Sequence, residues 1–166
     1  MLKNDIVKDD LFSELSTMGN SLDIFVVDVV KTVHGTDVHI SVVIQPKKGE
    51  AGIESCELFH RTIQPRLELM FGRDNLSMEV STPGLQRAFR DCYEFTVFIG
   101  KQVRLYSLDL SSWVNGTIKE TGDDFVVLSD VLIEDGNRTA DEYKEEYVNI
   151  QKAKLDFSFS TAKEKK

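Results

Sequence analysis

The sequence predicts an α+β chain in two parts: an αββαβ unit, in which a three-stranded sheet carries two helices, and then a small β-barrel. Two segments place apolar residues at helical steps, the first with Val7, Leu11, Leu15 and Met18, the second with Cys56, Phe59, Ile63, Leu67 and Met70. Between and after them, three segments are dense in Val, Ile and Phe or alternate apolar with polar residues. Beyond Gly100 the pattern changes to closely spaced short strands, as barrels require. The change divides the chain into residues 1–90 and 91–166, with a short helical linker over 91–99 and a charged tail over 160–166.

In order, Asn4 or Asp5 caps the first helix and Gly19 ends it. Asp23–Val33 is parted by the turn residues His34-Gly35-Thr36-Asp37 from Val38–Gln45, where Val38, Ile40, Val42 and Ile44 alternate with His39 and Ser41. The two segments therefore form a β-hairpin. A loop over Pro46–Gly52 leads to a second helix over about 53–71, in which Pro65 forfeits one backbone bond and kinks the axis. Leu76, Met78 and Val80 then alternate with Ser77, Glu79 and Ser81 in a third strand, and Pro83-Gly84 reverse the chain in a type II turn with Gly84 at positive φ.

The first strand of the hairpin is apolar on both parities, so both of its faces are buried. The face turned from the helices is expected to present Val26, Asp28, Val30, Val43 and Glu79, for the second domain or for a basic partner. In the second half a short helix over Asp91–Ile99 precedes strands at Lys101–Ser107, Trp113–Glu120, Asp124–Asp130, Glu145–Ile150 and Lys154–Phe159. Gly116, between Val114 and Ile118, marks a bend in the barrel. The acidic stretch Glu134–Glu146 reads as an exposed loop.

The 166 residues, 41% hydrophobic and 29% charged, suffice for a core without disulfide or metal. No apolar run exceeds the four residues of Ile24–Val27 or Phe125–Leu128, against the roughly 20 that span a bilayer. No membrane association is expected. The opening Met1-Leu2-Lys3-Asn4-Asp5 lacks a secretory pattern, which points to the cytoplasm. Cys56 and Cys92 have no disulfide or zinc spacing and read as reduced thiols. The net charge of -8 opposes nonspecific nucleic-acid binding and favours a basic partner.

Phosphate-cradling glycine loops, nucleophile elbows and paired metal-binding histidines are absent from the sequence. His34, His39 and His60 fall in a turn, a strand and a helix without mutual ligand spacing, so neither metal nor other cofactor is expected. Cys56 belongs to the apolar stripe of its helix. Cys92, near a helix start and two positions after Arg90, leaves open an enzyme with a thiol nucleophile. On its own, Pro83-Gly84 reads as an interdomain turn with Arg87 and Arg90 as surface charges.

The run Glu79-Val80-Ser81-Thr82-Pro83-Gly84-Leu85 followed by Arg87, and a short helix ending Phe98-Ile99-Gly100-Lys101-Gln102-Val103, resembles the bacterial ribosome maturation factor RimP family. The hairpin, the helix with Glu54-Ser55-Cys56, the strand Val114-Asn115-Gly116-Thr117-Ile118 and the ending Val148-Asn149-Ile150-Gln151-Lys152-Ala153-Lys154-Leu155 follow in the family's order. Gln86, Arg87 and Ala88 depart from it, since the family usually carries an acid and then Arg-Pro there.

This resemblance implies an SH3-like barrel for the second domain and a noncatalytic role in assembling the small (30S) ribosomal subunit. Its implied partners are the immature subunit, a basic ribosomal protein (small-subunit protein twelve) and nearby rRNA, met by a monomer. Pro83, Gly84, Leu85, Arg87, Arg90, Asp28 and Glu79 are the candidate contact residues, and Arg87, Arg90, Lys101 and Arg104 form a basic strip for phosphate. The rival reading is an Sm-like module that binds single-stranded RNA on Tyr106, Trp113 and Phe125.

Overall fold

A computed structural model describes residues 2–49 and 52–156, and it divides into two compact units: Asp5–Pro83, and Gly84 onward together with residues 2–4. In the first unit a 3-10 turn at Ile6–Lys8 precedes helix α1, Asp10–Asn20. The cap is Asp9, whose Oδ1 accepts from the Phe12 N–H at 2.8 Å, so the helix starts later than Asn4 or Asp5 predicts. Its inward face is correspondingly Phe12, Leu15 and Gly19, while Val7 lies outside the helix and is exposed. Gly19 does not end the helix. It lets α1 close onto the next strand, because a Cβ there would stand 2.7 Å from the Ile24 carbonyl oxygen.

Strands β1, Ile24–His34, and β2, Asp37–Pro46, form the expected hairpin through Gly35 at φ 63°. Helix α2, Ile53–Phe71, continues through Pro65 and crosses over to β3, Leu76–Ser81, which pairs parallel to β2. The sheet order is β1-β2-β3. Ile40, Val42 and Ile44 of β2, Phe59, Ile63 and Leu67 of α2, and Leu15 of α1 are all essentially inaccessible and make the core.

A β-bulge between Val26 and Asp28 corrects the expected face of β1. Val26 pairs with Ile44 on the helix-covered side, whereas Asp28 pairs with Val43 and Val30 with Ser41 on the other. One extra residue exchanges the parity of the strand, which is why both parities read as apolar.

The second unit is a five-stranded antiparallel sheet ordered β7-β6-β5-β4-β8, with β4 at Gln102–Ser107, β5 at Ser112–Thr121, β6 at Phe125–Ile133, β7 at Arg138–Glu146 and β8 at Ile150–Leu155. Among the described residues β7 and β8 are its two edges and do not pair with each other. Two bulges interrupt the pairing of β5 with β6. At the first, a Cβ on Gly116 would lie 3.0 Å from the Leu128 Cβ, so close approach requires glycine.

The acidic stretch expected as a loop is strand β7, entered through a turn with Gly136 at φ 78° and Asn137 at φ 51°. Backbone pairing at a sheet edge needs no apolar side chains, and its charged residues apart from Glu145 are exposed. The predicted strand Glu145–Ile150 is instead the end of β7 and a 3-10 turn at Tyr147–Asn149. The expected last strand begins four residues earlier, at Ile150, and its predicted end over residues 157–159, like the charged tail, lies outside the described residues. Helix α3, Tyr93–Val97, is shorter than predicted and packs Phe95 edge-on to Phe89 at 5.0 Å and stacked with Tyr147 at 5.7 Å.

Candidate partner-binding surface

The segment that carries the sequence resemblance divides between the units, with Pro83 closing the first and Gly84 opening the second. Gly84 is outside the positive-φ region, so the expected type II turn is not formed. The chain turns two residues later, where the Arg87 N–H donates to the Gly84 carbonyl at 3.1 Å, with Leu85 66% exposed in the bend. From there the backbone runs along β8. The Leu155 N–H donates to the Arg87 carbonyl at 3.0 Å and the Phe89 N–H to the Ala153 carbonyl at 2.8 Å, around an antiparallel bridge between Ala88 and Lys154.

This strap orients Arg87 inward. Its guanidinium donates to Glu94 at 2.8 and 3.2 Å, and the carboxylate also accepts from the Arg90 N–H at 2.7 Å and the Asp91 N–H at 3.3 Å. Burial pushes the Glu94 carboxyl up, while Arg87 and the two backbone donors oppose that rise. Arg104 is similarly engaged: it binds Glu134 through two bonds at 2.7 and 2.9 Å and lies 4.2 Å from the centre of the Trp113 ring. Two of the four members of the expected basic strip, Arg87 and Arg104, thus pair with Glu94 and Glu134, and Arg90 and Lys101 are exposed.

The aromatic side chains of the rival RNA-binding reading are also engaged. Trp113 packs edge-on with Tyr106 at 5.5 Å beneath Arg104, and Lys144 lies 4.2 Å from the Phe125 centroid. Cys92 is inaccessible, its thiol pushed up to about 12 by burial and by the carboxylates of Asp91 and Glu94. At neutral pH it carries no thiolate, contrary to what a nucleophile needs.

In the first unit, Asp28 and Glu79 share the sheet face turned from the helices, as expected, in very different settings. Asp28 is 3% exposed, whereas the Glu79 side chain is 64% exposed. Around Glu79 lies a polar patch: Ser41 Oγ donates to its carboxylate at 3.3 Å, and His39 Nδ1 meets Ser77 Oγ at 2.7 Å. On the opposite side of the same strand, α2 and β3 enclose an open groove of about 650 Å³ lined by Ile53, Cys56, His60, Arg61, Val80 and Thr82.

The groove escapes a reading based on helix stripes. Its one sequence signal is Ile53, an apolar residue three positions before Cys56 on α2 that is nonetheless 77% exposed. The Glu94 anchor was equally hidden, because seven residues separate it from Arg87 and only the fold joins them.

A family model described as the RimP N-terminal domain matches residues 5–86. Three curated relatives carry the name ribosome maturation factor RimP. That of Borrelia turicatae is 25% identical over 90% of this chain and 96% of its own length. The Borrelia hermsii protein is 33% identical over 66% of this chain and 68% of its own, and that of Borrelia recurrentis is 33% identical over 60% and 62%. A solved heptameric archaeal Sm protein, 21% identical, covers 39% of this chain and 97% of its own with a TM-score of 0.34, too poor a superposition to bear on fold or function. The family match over the first unit, together with relatives that extend the similarity through the second, establishes that this chain belongs to the ribosome maturation factor RimP family.

Proposed function

We propose that the chain is a noncatalytic maturation factor of the small (30S) ribosomal subunit, acting in the cytoplasm as a monomer. It binds the immature subunit through a basic ribosomal protein, small-subunit protein twelve, and through nearby rRNA. Kinship with proteins named ribosome maturation factor RimP carries this reading. Its two domains fold separately, the second as an SH3-like barrel. The net charge of -8 supports a basic protein as the principal contact. For rRNA, the exposed cations Arg90 and Lys101 are the candidate phosphate contacts.

Such a factor acts by binding one arrangement of protein and rRNA more tightly than the alternatives, which raises its population without covalent chemistry. Leu85 and Glu79 are its exposed candidate contacts in the two units. Arg87 and Asp28, both largely buried, support them structurally. Sedimentation of a lysate tests the reading: the protein should travel with immature small subunits and be depleted from mature ribosomes. Migration with free RNA, or away from all ribosomal particles, would refute it.

A further inference from the structure

We propose that the free edge of β3 accepts a fourth strand from a basic partner, an extended segment that alternates apolar and cationic side chains. The Val38 N–H donates to the Asn75 carbonyl at 2.8 Å, which fixes the direction of the ladder. Ser77, Glu79 and Ser81 therefore turn their backbone groups to β2, and the N–H and C=O groups of Leu76, Met78 and Val80 point to the open edge. Among the described residues no strand pairs there.

The side chains beside that edge are unfinished in the same way. Leu76, Met78 and Val80 face the helix layer yet are only half-buried, whereas their β2 neighbours Ile40 and Val42 are inaccessible. Helix α2 packs on β3, and the groove of about 650 Å³ between them has exposed Ile53 and half-exposed Cys56 on its helical wall. An added strand would place alternate apolar side chains against Ile53, Cys56 and Val80.

Charge selects the occupant. The next side chains of the added strand emerge on the opposite face, beside exposed Glu79, while on the helical wall Glu57 is offset by Arg61. A second copy of this chain would bring two Glu79 carboxylates together, and RNA would bring phosphate to them; both are unfavourable. Lysine or arginine at alternate positions meets them favourably. The inference deepens the reading above and rests on it for the partner being a ribosomal protein.

The test uses the full chain and a fluorescent eight-residue peptide of alternating lysine and valine, with alternating glutamate and valine as control. The lysine peptide should raise anisotropy, slow exchange of the Leu76, Met78 and Val80 amides, and slow alkylation of Cys56, and the control should do none of these. Met78→Pro removes one outward donor, and Ile53→Ser trims the groove at a residue too exposed to threaten folding; each should weaken binding at least tenfold. Equal binding by both variants, unchanged exchange at the three amides, displacement by polyuridylate, or dimerisation through β3 would overturn the proposal. Co-sedimentation with immature subunits is scored separately. If wild type and both variants co-sediment equally, the edge is not the docking site and the maturation role stands; if wild type does not, the role falls and the peptide data alone decide the edge.

Discussion

Arg87 reaches Glu94 through two hydrogen bonds, Nε to Oε1 at 2.8 Å and Nη2 to Oε2 at 3.2 Å, and the Glu94 side chain has no exposed surface. The pair fixes the start of α3 to the strap that runs beside β8, because the same carboxylate accepts the Arg90 and Asp91 N–H groups. Arg87 is therefore a folding residue before it is a contact residue. Removing one partner from a buried pair leaves an uncompensated charge and costs about 3–5 kcal/mol, whereas replacing both by apolar groups is often close to neutral. Arg87→Ala should lower stability to urea by that order, and the double substitution Arg87→Met with Glu94→Leu should recover most of the loss. A loss under about 1 kcal/mol in the single variant, the range of exposed pairs, would show that the bridge is a surface ornament.

The glycines give a second contrast. Gly84 has open space where a Cβ would project and no positive φ, so Gly84→Val should change stability by no more than about 0.5 kcal/mol. Gly19→Ala should cost about 1–3 kcal/mol, since its Cβ would enter the 2.7 Å gap to the Ile24 carbonyl and force α1 off the sheet. Thermal melts of the two variants decide the point. A larger loss at Gly84 than at Gly19 would mean that the junction, not the helix approach, is the strained site.

Period and turn chemistry made the αββαβ order legible, because Phe59, Ile63 and Leu67, and Leu76, Met78 and Val80, repeat at the spacing of their elements. What was hidden has particular causes. The bulge at Val26 and Asp28 is a register event between strands, with no signature in β1 alone. Strand β7 is held by backbone pairing to β6 while most of its side chains are charged, so its composition resembles a loop. At the site, exposure of Glu79 follows from simple alternation, but Arg87 and Arg104 look like free cations until the fold brings Glu94 and Glu134 to them.

Glu79 supplies the third prediction. Its carboxylate is largely exposed and held only by contacts of the Ser41 and His39 kind, so Glu79→Lys should leave the melting transition within error of wild type. Association with immature subunits should weaken several-fold and lose part of its salt dependence, as expected when one charge pair is removed from an interface. Asp28→Lys is the informative contrast. It sets a cation at a position only 3% exposed and should destabilise the first unit whatever it does to binding. Unchanged association and salt slope for Glu79→Lys would remove this face from the interface.

The last prediction concerns pH and the second unit. Glu145 is 2% exposed on β7, with Ser107 Oγ donating to it at 2.6 Å and the Tyr143 hydroxyl donating to the same oxygen. Burial pushes its carboxyl up, Asp109 adds to the rise, and the two hydroxyl donors oppose it. A carboxyl whose folded pKa lies above its unfolded value near 4.3 binds its proton more tightly in the folded state. Its contribution is therefore complete below about pH 4.3 and is lost as pH climbs through the folded value. Glu145→Gln keeps an oxygen that both hydroxyls can reach and removes the charge. Relative to wild type, the variant should gain stability progressively as pH rises above about 4.3 and hold a constant advantage once wild-type Glu145 is fully ionised. Urea denaturation at a series of pH values reads this difference directly. Parallel wild-type and variant curves across the whole range would show that Glu145 ionises as freely in the folded chain as in the unfolded one.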